Sequence, residues 1–300
     1  MSYSVRSKNA LYLAVLGIFG FQALPAFATP VVIQNGYVKA GVSDYGTLGS
    51  DGSTSPGILY DSTGSGSYGI NDFLTPGDPF EGFYVTTASG LGNGGANNDG
   101  VSGFGFKSPI SLSPTSASWS GANSVFNITN TYTLSTFGGQ SVIAINTVLT
   151  NASTSALTGV EFLRTLDPDP DVNAWGVYNT NNVVLSNNQS CGTGTHSGQT
   201  ICIYSYDATT HNAGVSSSWS TDPAVYLAGV NSGNGDYAIG MGFNIGNLGA
   251  GQSINLSYGY ALGATEAAAS GGGTVPEPAT LALLGLGLAG LGFSSRKRAD

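Results

Sequence analysis

Apolar and polar residues alternate along several segments of the chain. Between Phe126 and Leu134, the apolar side chains of Phe126, Ile128, Tyr132 and Leu134 lie on one face of an extended strand, and polar side chains lie on the other. The segment from Ile254 to Leu262 repeats this alternation. The pattern predicts β strands with one buried face and one exposed face.

Other short apolar runs also have the length of strands, and Gly, Asn, Ser and Asp separate them. The run at 142–149 is mostly apolar on both faces, which predicts a central strand covered from two sides. No amphipathic helical pattern of ten or more residues occurs. We therefore expect an all-β, antiparallel β-sandwich. The remaining predicted strands are 31–42, 80–87, 160–166, 182–186, 201–206, 224–230 and 237–243.

Composition supports this expectation. The 300 residues include 46 Gly and 12 Pro, and only 8% of the residues are charged. Glycine destabilises a helix interior by about 1 kcal/mol relative to alanine, which excludes an ordinary helical protein. Hydrophobic residues still make up 41% of the chain, enough for a packed core.

The N-terminal segment has the three parts of a secretory signal peptide. Basic residues at positions 6 and 8 precede an apolar stretch from Ala10 to Leu24, and a small-residue site follows at Ala26 and Ala28. We expect export to remove residues 1–28 and to leave Thr29 as the new N-terminus. Residues 29–270 then form the exported domain.

The C-terminal segment also has three parts. A glycine-rich spacer at 271–274 leads to Pro276, Glu277 and Pro278, and an apolar run follows at 279–293. Fifteen helical residues span about 22 Å, short of the roughly 30 Å of a bilayer core, which predicts a marginal transmembrane helix. The positive-inside rule places the basic end in the cytoplasm. That end consists of Arg296, Lys297 and Arg298.

This C-terminal arrangement, at 275–300, resembles the PEP-CTERM sorting signal of Gram-negative bacteria. The resemblance implies that a membrane-embedded cysteine protease, exosortase, recognises and removes the tail. It also implies a cell-surface, outer-membrane-associated or extracellular-matrix location, and a link with exopolysaccharide and biofilm. Before processing, the helix would hold the protein at the inner membrane. The resemblance implies a cellular destination for the protein and no enzymatic activity.

The exported domain is acidic. Residues 29–270 contain three basic residues and fifteen acidic ones, a formal charge of −12. A domain with this charge repels the phosphates of DNA and RNA, which excludes nucleic-acid binding. Cations and neutral sugars are compatible partners.

The stretch from Asn127 to Asp171 is similar to segments of large bacterial extracellular β-sandwiches, including supersandwich folds of the galactose-mutarotase type. The similarity covers about 45 residues and transfers no catalytic residue. It agrees with the sandwich expected from the strand pattern.

The chain has two cysteines, Cys191 and Cys202, and an exported protein enters an oxidising compartment. We expect them to form a disulfide. The alternative is a metal site that also uses His196, but it lacks a fourth ligand and the usual close spacing.

Three carboxylates alternate with prolines at Asp167, Asp169 and Asp171. Oxygen ligands crowded in this way suit Ca²⁺, which takes six to eight of them. A plain strand-end turn in which one carboxylate pairs with Arg164 explains the same residues.

The sequence contains no recognisable catalytic motif, so we expect a protein that is not an enzyme. A glycosidase needs two carboxylates about 5–10 Å apart, and Glu81, Glu161, Asp167 and Asp169 are the available candidates. Aromatic rings at Trp119, Trp175 and Trp219 are able to stack on sugars, although burial is their default. Two classes therefore stay open, a structural or adhesive surface protein and a secreted carbohydrate-binding or carbohydrate-active protein.

Overall fold

The computed structural model describes residues 30–50, 55–74, 81–90, 93–96, 103–137, 140–229 and 233–271. The predicted signal peptide at 1–28 and the sorting segment at 275–300, with its transmembrane helix, lie outside these residues. Within the described part of the chain, no helix combines the length and the apolar character needed to cross a bilayer.

The described residues contain sixteen strands and three short helices. The strands are β1 Val31–Gln34, β2 Val38–Val42, β3 Ile58–Tyr60, β4 Glu81–Thr86, β5 Asn93–Ala96, β6 Ile110–Ser113, β7 Ser116–Ala122, β8 Phe126–Phe137, β9 Gln140–Asn151, β10 Leu157–Leu166, β11 Thr180–Ser186, β12 Gln189–Gly194, β13 Thr200–Ser205, β14 His211–Ser216, β15 Ala238–Leu248 and β16 Ser253–Gly263. The helices are α1 Val172–Trp175, α2 Pro223–Leu227 and α3 Glu266–Ser270.

The strands form three antiparallel sheets. The largest has eight strands in the order β11-β12-β13-β16-β9-β8-β7-β6, and the second has five in the order β14-β15-β10-β4-β5. A third sheet contains β1, β2 and β3. The sheets pack as a sandwich, which confirms the expected all-β, antiparallel fold.

Alternate side chains of the central strands fill the space between the two large sheets. In β8, the residues predicted to face inward are buried, as the period of two requires. Aromatic rings meet across the sandwich: Phe162 of β10 and Phe243 of β15 lie 5.8 and 5.6 Å from the ring of Tyr258 in β16. These contacts join the five-stranded sheet to the eight-stranded sheet.

Two of the predicted strands differ from the structure. The run at 224–230 contains α2 instead of a strand, because Pro223 fits the first turn and the Asp222 side chain accepts a hydrogen bond from the Ala224 amide. The run at 31–42 is a hairpin of two strands. The side chain of Asn35 accepts hydrogen bonds from the amides of Tyr37 and Val38 and so closes the turn.

The disulfide prediction is confirmed. Cys191 of β12 and Cys202 of β13 lie opposite each other in the antiparallel pair and are bonded to each other. Both are fully buried. The bond rules out the alternative metal site, because neither sulfur is available as a ligand. It also fixes the hairpin whose loop carries His196.

We expect a Cys191→Ala/Cys202→Ala double variant to be less stable than the native protein by about 3 kcal/mol, since the closed loop is short. Denaturant unfolding of both forms measures this difference. Thiol labelling of the denatured, unreduced native protein provides the control and should detect no free cysteine. Two labelled thiols in native material would contradict the assignment.

Candidate functional site

A buried ion pair lies between the two large sheets. Glu81 begins β4, and Arg164 lies near the end of the neighbouring strand β10. Arg164 Nη2 donates to Glu81 Oε2 at 2.8 Å, and Arg164 Nε donates to Glu81 Oε1. Both side chains are fully buried. An ion pair in this position is stable only where further hydrogen bonds satisfy its remaining polar atoms.

Tyrosines of the opposite sheet provide these hydrogen bonds. Tyr260 of β16 donates to Glu81 Oε1 at 2.7 Å, and Arg164 Nη2 donates to the hydroxyl of Tyr132 in β8 at 3.1 Å. The Leu48 amide donates to Glu81 Oε2 at 2.7 Å. Burial raises the pKa of Glu81, while the Arg164 charge and these hydrogen bonds oppose the increase. Together, the contacts connect five separate segments of the chain, namely four strands of the two large sheets and the segment around Leu48.

This geometry decides two of the expectations. The only arginine of the exported domain pairs with Glu81, so the predicted contact between Arg164 and an aspartate of the 167–171 segment is wrong. The carboxylate of Glu81 is enclosed and already accepts four hydrogen bonds. It is therefore a structural group and out of reach of a substrate.

A second group of charges lies where β10 ends. Carboxylate oxygens of Asp167, Asp169 and Asp236 lie within 4.8 Å of one another. Asp236 precedes β15, the neighbour of β10 in the five-stranded sheet, which explains why it reaches this place. Sequence spacing gave no indication of Asp236, because about 70 residues of chain separate it from the other two.

The electrostatics of this acidic cluster are unfavourable for three ionised groups. Burial and then the nearby charge of Asp236 raise the pKa of Asp167 to about 7. Burial also raises the pKa of Asp236. Asp167 Oδ1 is buried and has no hydrogen-bond donor among the described residues. A bound proton or a cation would relieve this repulsion.

Asp171 has a different role from the one that the sequence suggested. Its Oδ2 and Oδ1 accept hydrogen bonds from the amides of His196 and Ser197, at 2.7 and 3.0 Å. Its backbone carbonyl accepts a hydrogen bond from the Trp175 amide at 2.9 Å. Asp171 therefore ties α1 to the loop between β12 and β13, and the structure groups Asp236 with Asp167 and Asp169 in its place.

The rings of Trp175 and His196 stack on each other, with centroids 5.6 Å apart and an interplanar angle of 17°. Trp175 is 48% exposed despite this contact, and Tyr178, at 45%, follows it three residues later. Trp119 lies at the other extreme, 1% exposed, and its indole donates to the Asp44 carbonyl at 2.9 Å. Of the three tryptophans considered as sugar-stacking residues, only Trp119 is therefore buried.

Glu161 lies on the outer face of the five-stranded sheet. Burial and then the charge of Asp222 raise its pKa. Tyr84 belongs to the adjacent strand β4 and lies on the same outer face. Its hydroxyl accepts a hydrogen bond from the Trp219 indole at 3.2 Å. The carboxylates of Glu161 and Asp222 and the aromatic side chains of Tyr84 and Trp219 thus occur on this face.

The second histidine, His211, is built into the fold. It begins β14, and its Nδ1 and Nε2 lie 2.7 Å from the Thr209 carbonyl and 3.2 Å from Asn188 Oδ1. The ring also packs against Phe243 at 5.4 Å. These contacts give His211 a structural role.

Comparison with known proteins identifies the C-terminal segment. Residues 274–298 match the PEP-CTERM protein-sorting motif, which confirms the resemblance and implies an exported protein sorted by an exosortase. No curated protein matches the chain at a significant level.

Solved structures are similar in fold. A bacterial glucoamylase in complex with acarbose is 11% identical with a TM-score of 0.50, and the match covers 81% of this chain and 34% of the glucoamylase. A galactose mutarotase-like protein from Lactobacillus casei ATCC 334 is 10% identical with a TM-score of 0.46, covering 78% of this chain and 100% of that protein. An aldose 1-epimerase candidate from Escherichia coli K12 is 12% identical with a TM-score of 0.43, covering 78% and 99%. At these identities the likeness concerns the fold alone.

We expect Glu81→Gln to lower the free energy of unfolding by about 3–5 kcal/mol, because it leaves the Arg164 charge buried without its partner. Denaturant unfolding measures the loss. The exposed acid Glu266 provides the control, and Glu266→Gln should change stability by less than about 0.5 kcal/mol. A loss for Glu81→Gln as small as that of the control would show that the pair does not stabilise the sandwich.

Proposed function

We propose that the exported domain is a structural or adhesive protein, without enzymatic activity, of the cell surface or the extracellular exopolysaccharide and biofilm matrix. The observation that carries this proposal is the sorting motif at 274–298, which directs a β-sandwich to the outside of the cell. The burial of the Glu81 carboxylate in an ion pair also supports a non-enzymatic role. In this proposal the bacterium is Gram-negative, and an exosortase-type protease is the processing partner.

Sorting is tested with a Pro276→Ala/Pro278→Ala variant in a host that exports and processes the protein. The native protein should begin at Thr29, lack the C-terminal tail and co-purify with extracellular polysaccharide. The variant should keep its tail and stay with the membrane fraction, because the sorting signal is altered. Intact-mass analysis and cell fractionation measure these outcomes.

The control for this experiment is Pro114→Ala, which changes an exposed proline of the turn between β6 and β7. It should be processed like the native chain. A native protein recovered from the surface with all 300 residues would contradict the sorting proposal. Native protein that is processed but absent from the polysaccharide fraction would contradict the matrix role.

The alternative function is that of a secreted carbohydrate-binding or carbohydrate-active protein. The outer-face carboxylates favour the carbohydrate-active form, because Glu161 has a raised pKa and lies on a face that also carries Tyr84 and Trp219. A carboxylic acid with a raised pKa suits general acid catalysis. Hydrolysis of any glycan by the native protein, lost in Glu161→Gln, would favour this alternative over the proposed function.

We also propose that the acidic cluster binds Ca²⁺. The chemistry of its donors supports this proposal, because carboxylate oxygens are the ligands that Ca²⁺ prefers. The buried Oδ1 of Asp167 supports it too, because a cation would occupy the position that no described donor fills. The ligands in this proposal are Asp167, Asp169 and Asp236, and Asp171 only positions the neighbouring loop.

Calcium should raise the melting temperature at pH 8 and have little effect at pH 5. Without calcium, stability should fall as pH rises from about 4 to about 7, because folded Asp167 keeps its proton in that window and the unfolded chain does not. Calcium binds the ionised form and would contribute about 2.7 kcal/mol at a hundredfold excess over Kd. Thermal melts with chelator and with millimolar Ca²⁺ measure both effects.

The variant Asp236→Asn should lose the response to calcium, whereas the control Glu266→Gln should keep it. A melting temperature at pH 8 that is identical with chelator and with calcium would overturn the calcium proposal. So would an Asp236→Asn variant that responds like the native protein.

A further inference from the structure

An exposed aromatic surface, which we call the Trp175 platform, lies at one end of the eight-stranded sheet. It consists of the stacked rings of Trp175 and His196, and the exposed Tyr178 follows three residues after Trp175 in the chain. Single exposed apolar side chains are normal at a protein surface, and the described residues include several, whereas Trp175 and His196 form one continuous exposed ring surface. Trp119 shows that the same chain is able to bury an indole completely.

The platform is held rigidly. Asp171 is fully buried, and its hydrogen bonds fix the backbone at Trp175 on one side and at His196 on the other. The disulfide between Cys191 and Cys202 joins the two strands that flank the His196 loop. Contact with His196 sets the orientation of the indole. An aromatic surface fixed before binding loses little conformational entropy when a ligand stacks on it.

Exposed polar residues adjoin His196 and Tyr178 in the sequence. The side chains of Thr195 and Asn179 are exposed, and Thr195 Oγ1 lies 3.4 Å from the Asn179 carbonyl. A flat apolar ring with hydrogen-bonding groups at its edge matches a pyranose, whose C–H face is apolar and whose hydroxyls project from the rim. A purely apolar partner would cover these exposed polar side chains without offering them hydrogen bonds.

The charge of the exported domain limits the class of sugar that the platform is able to bind. The exported domain carries a formal charge of −12, and two members of the acidic cluster, Asp167 and Asp169, lie in the segment that leads into α1 and the platform. A polyanionic glycan would be repelled by this field. The matching ligand is therefore a neutral polysaccharide.

We infer that the Trp175 platform is a binding site for a neutral polysaccharide, with Trp175 stacking on a pyranose ring and Asp171 positioning it. The inference rests on the proposed matrix function, since it names the surface by which the protein would hold the exopolysaccharide. Asp171, a metal candidate in the sequence, here orients the platform and does not touch the sugar.

The experiment is native affinity electrophoresis of the processed, exported protein in gels that contain dextran, xyloglucan or galactomannan. We expect at least one of these neutral polysaccharides to retard the native protein and the anionic polysaccharide alginate to have no effect. Trp175→Ala should weaken binding at least tenfold, and Trp175→Phe should restore part of it because a flat ring remains.

Tyr206 offers a matched control. It is 54% exposed and follows β13, at the end of that strand opposite to the His196 loop, so Tyr206→Ala removes an exposed ring from the same hairpin without touching the platform. Its binding should equal that of the native protein. Equal melting temperatures of the three variants and the native protein exclude loss of fold as the cause of weaker binding.

The inference is overturned by a native protein that no neutral polysaccharide retards, by retardation in alginate alone, or by a Trp175→Ala variant that binds like the native protein. Cell fractionation separates this failure from failure of the proposed function. A Trp175→Ala variant that stays in the polysaccharide fraction contradicts the platform and leaves the matrix role standing. A native protein absent from that fraction contradicts the matrix role itself.

Discussion

The buried ion pair between Glu81 and Arg164 is the interaction on which the rest of the fold depends. It puts two charges into the middle of the sandwich, where each needs several partners to offset the loss of water. Those partners are Tyr132 and Tyr260 of the opposite sheet and the amide of Leu48. These contacts run from β4 and β10 to β8 and β16, so they tie the two large sheets to each other and to the segment around Leu48.

The strand pattern was sufficient to predict the class of fold. Alternation identified β8 because one of its faces is buried and the other meets water, and composition excluded an ordinary helical protein. The errors came from local backbone chemistry: the cap at Asp222 makes α2 helical, and Asn35 closes an unpredicted turn. Hydrophobicity alone does not distinguish a short apolar helix from a short strand.

The candidate site was harder to predict, because its members come together only through long-range pairing. Asp236 lies beside Asp167 and Asp169 because β15 pairs with β10. The spacing of residues in the sequence does not indicate that Asp236 belongs to this cluster. Asp171 is close in sequence to the other two and nevertheless turns towards the His196 loop. The disulfide was predictable because it needed only two cysteines and an oxidising compartment.

In this account the buried Glu81–Arg164 pair stabilises the fold, and the exposed Trp175 platform is the proposed binding surface. Hydrogen–deuterium exchange of the exported protein, with and without a neutral oligosaccharide cut from the polysaccharide that retards it, tests this division most directly. The account predicts slower exchange at 172–178 and 194–199 and unchanged exchange in β4 and β10. Protection confined to β4 and β10, around Glu161 and Tyr84, would contradict it and place the sugar on the outer face of the five-stranded sheet.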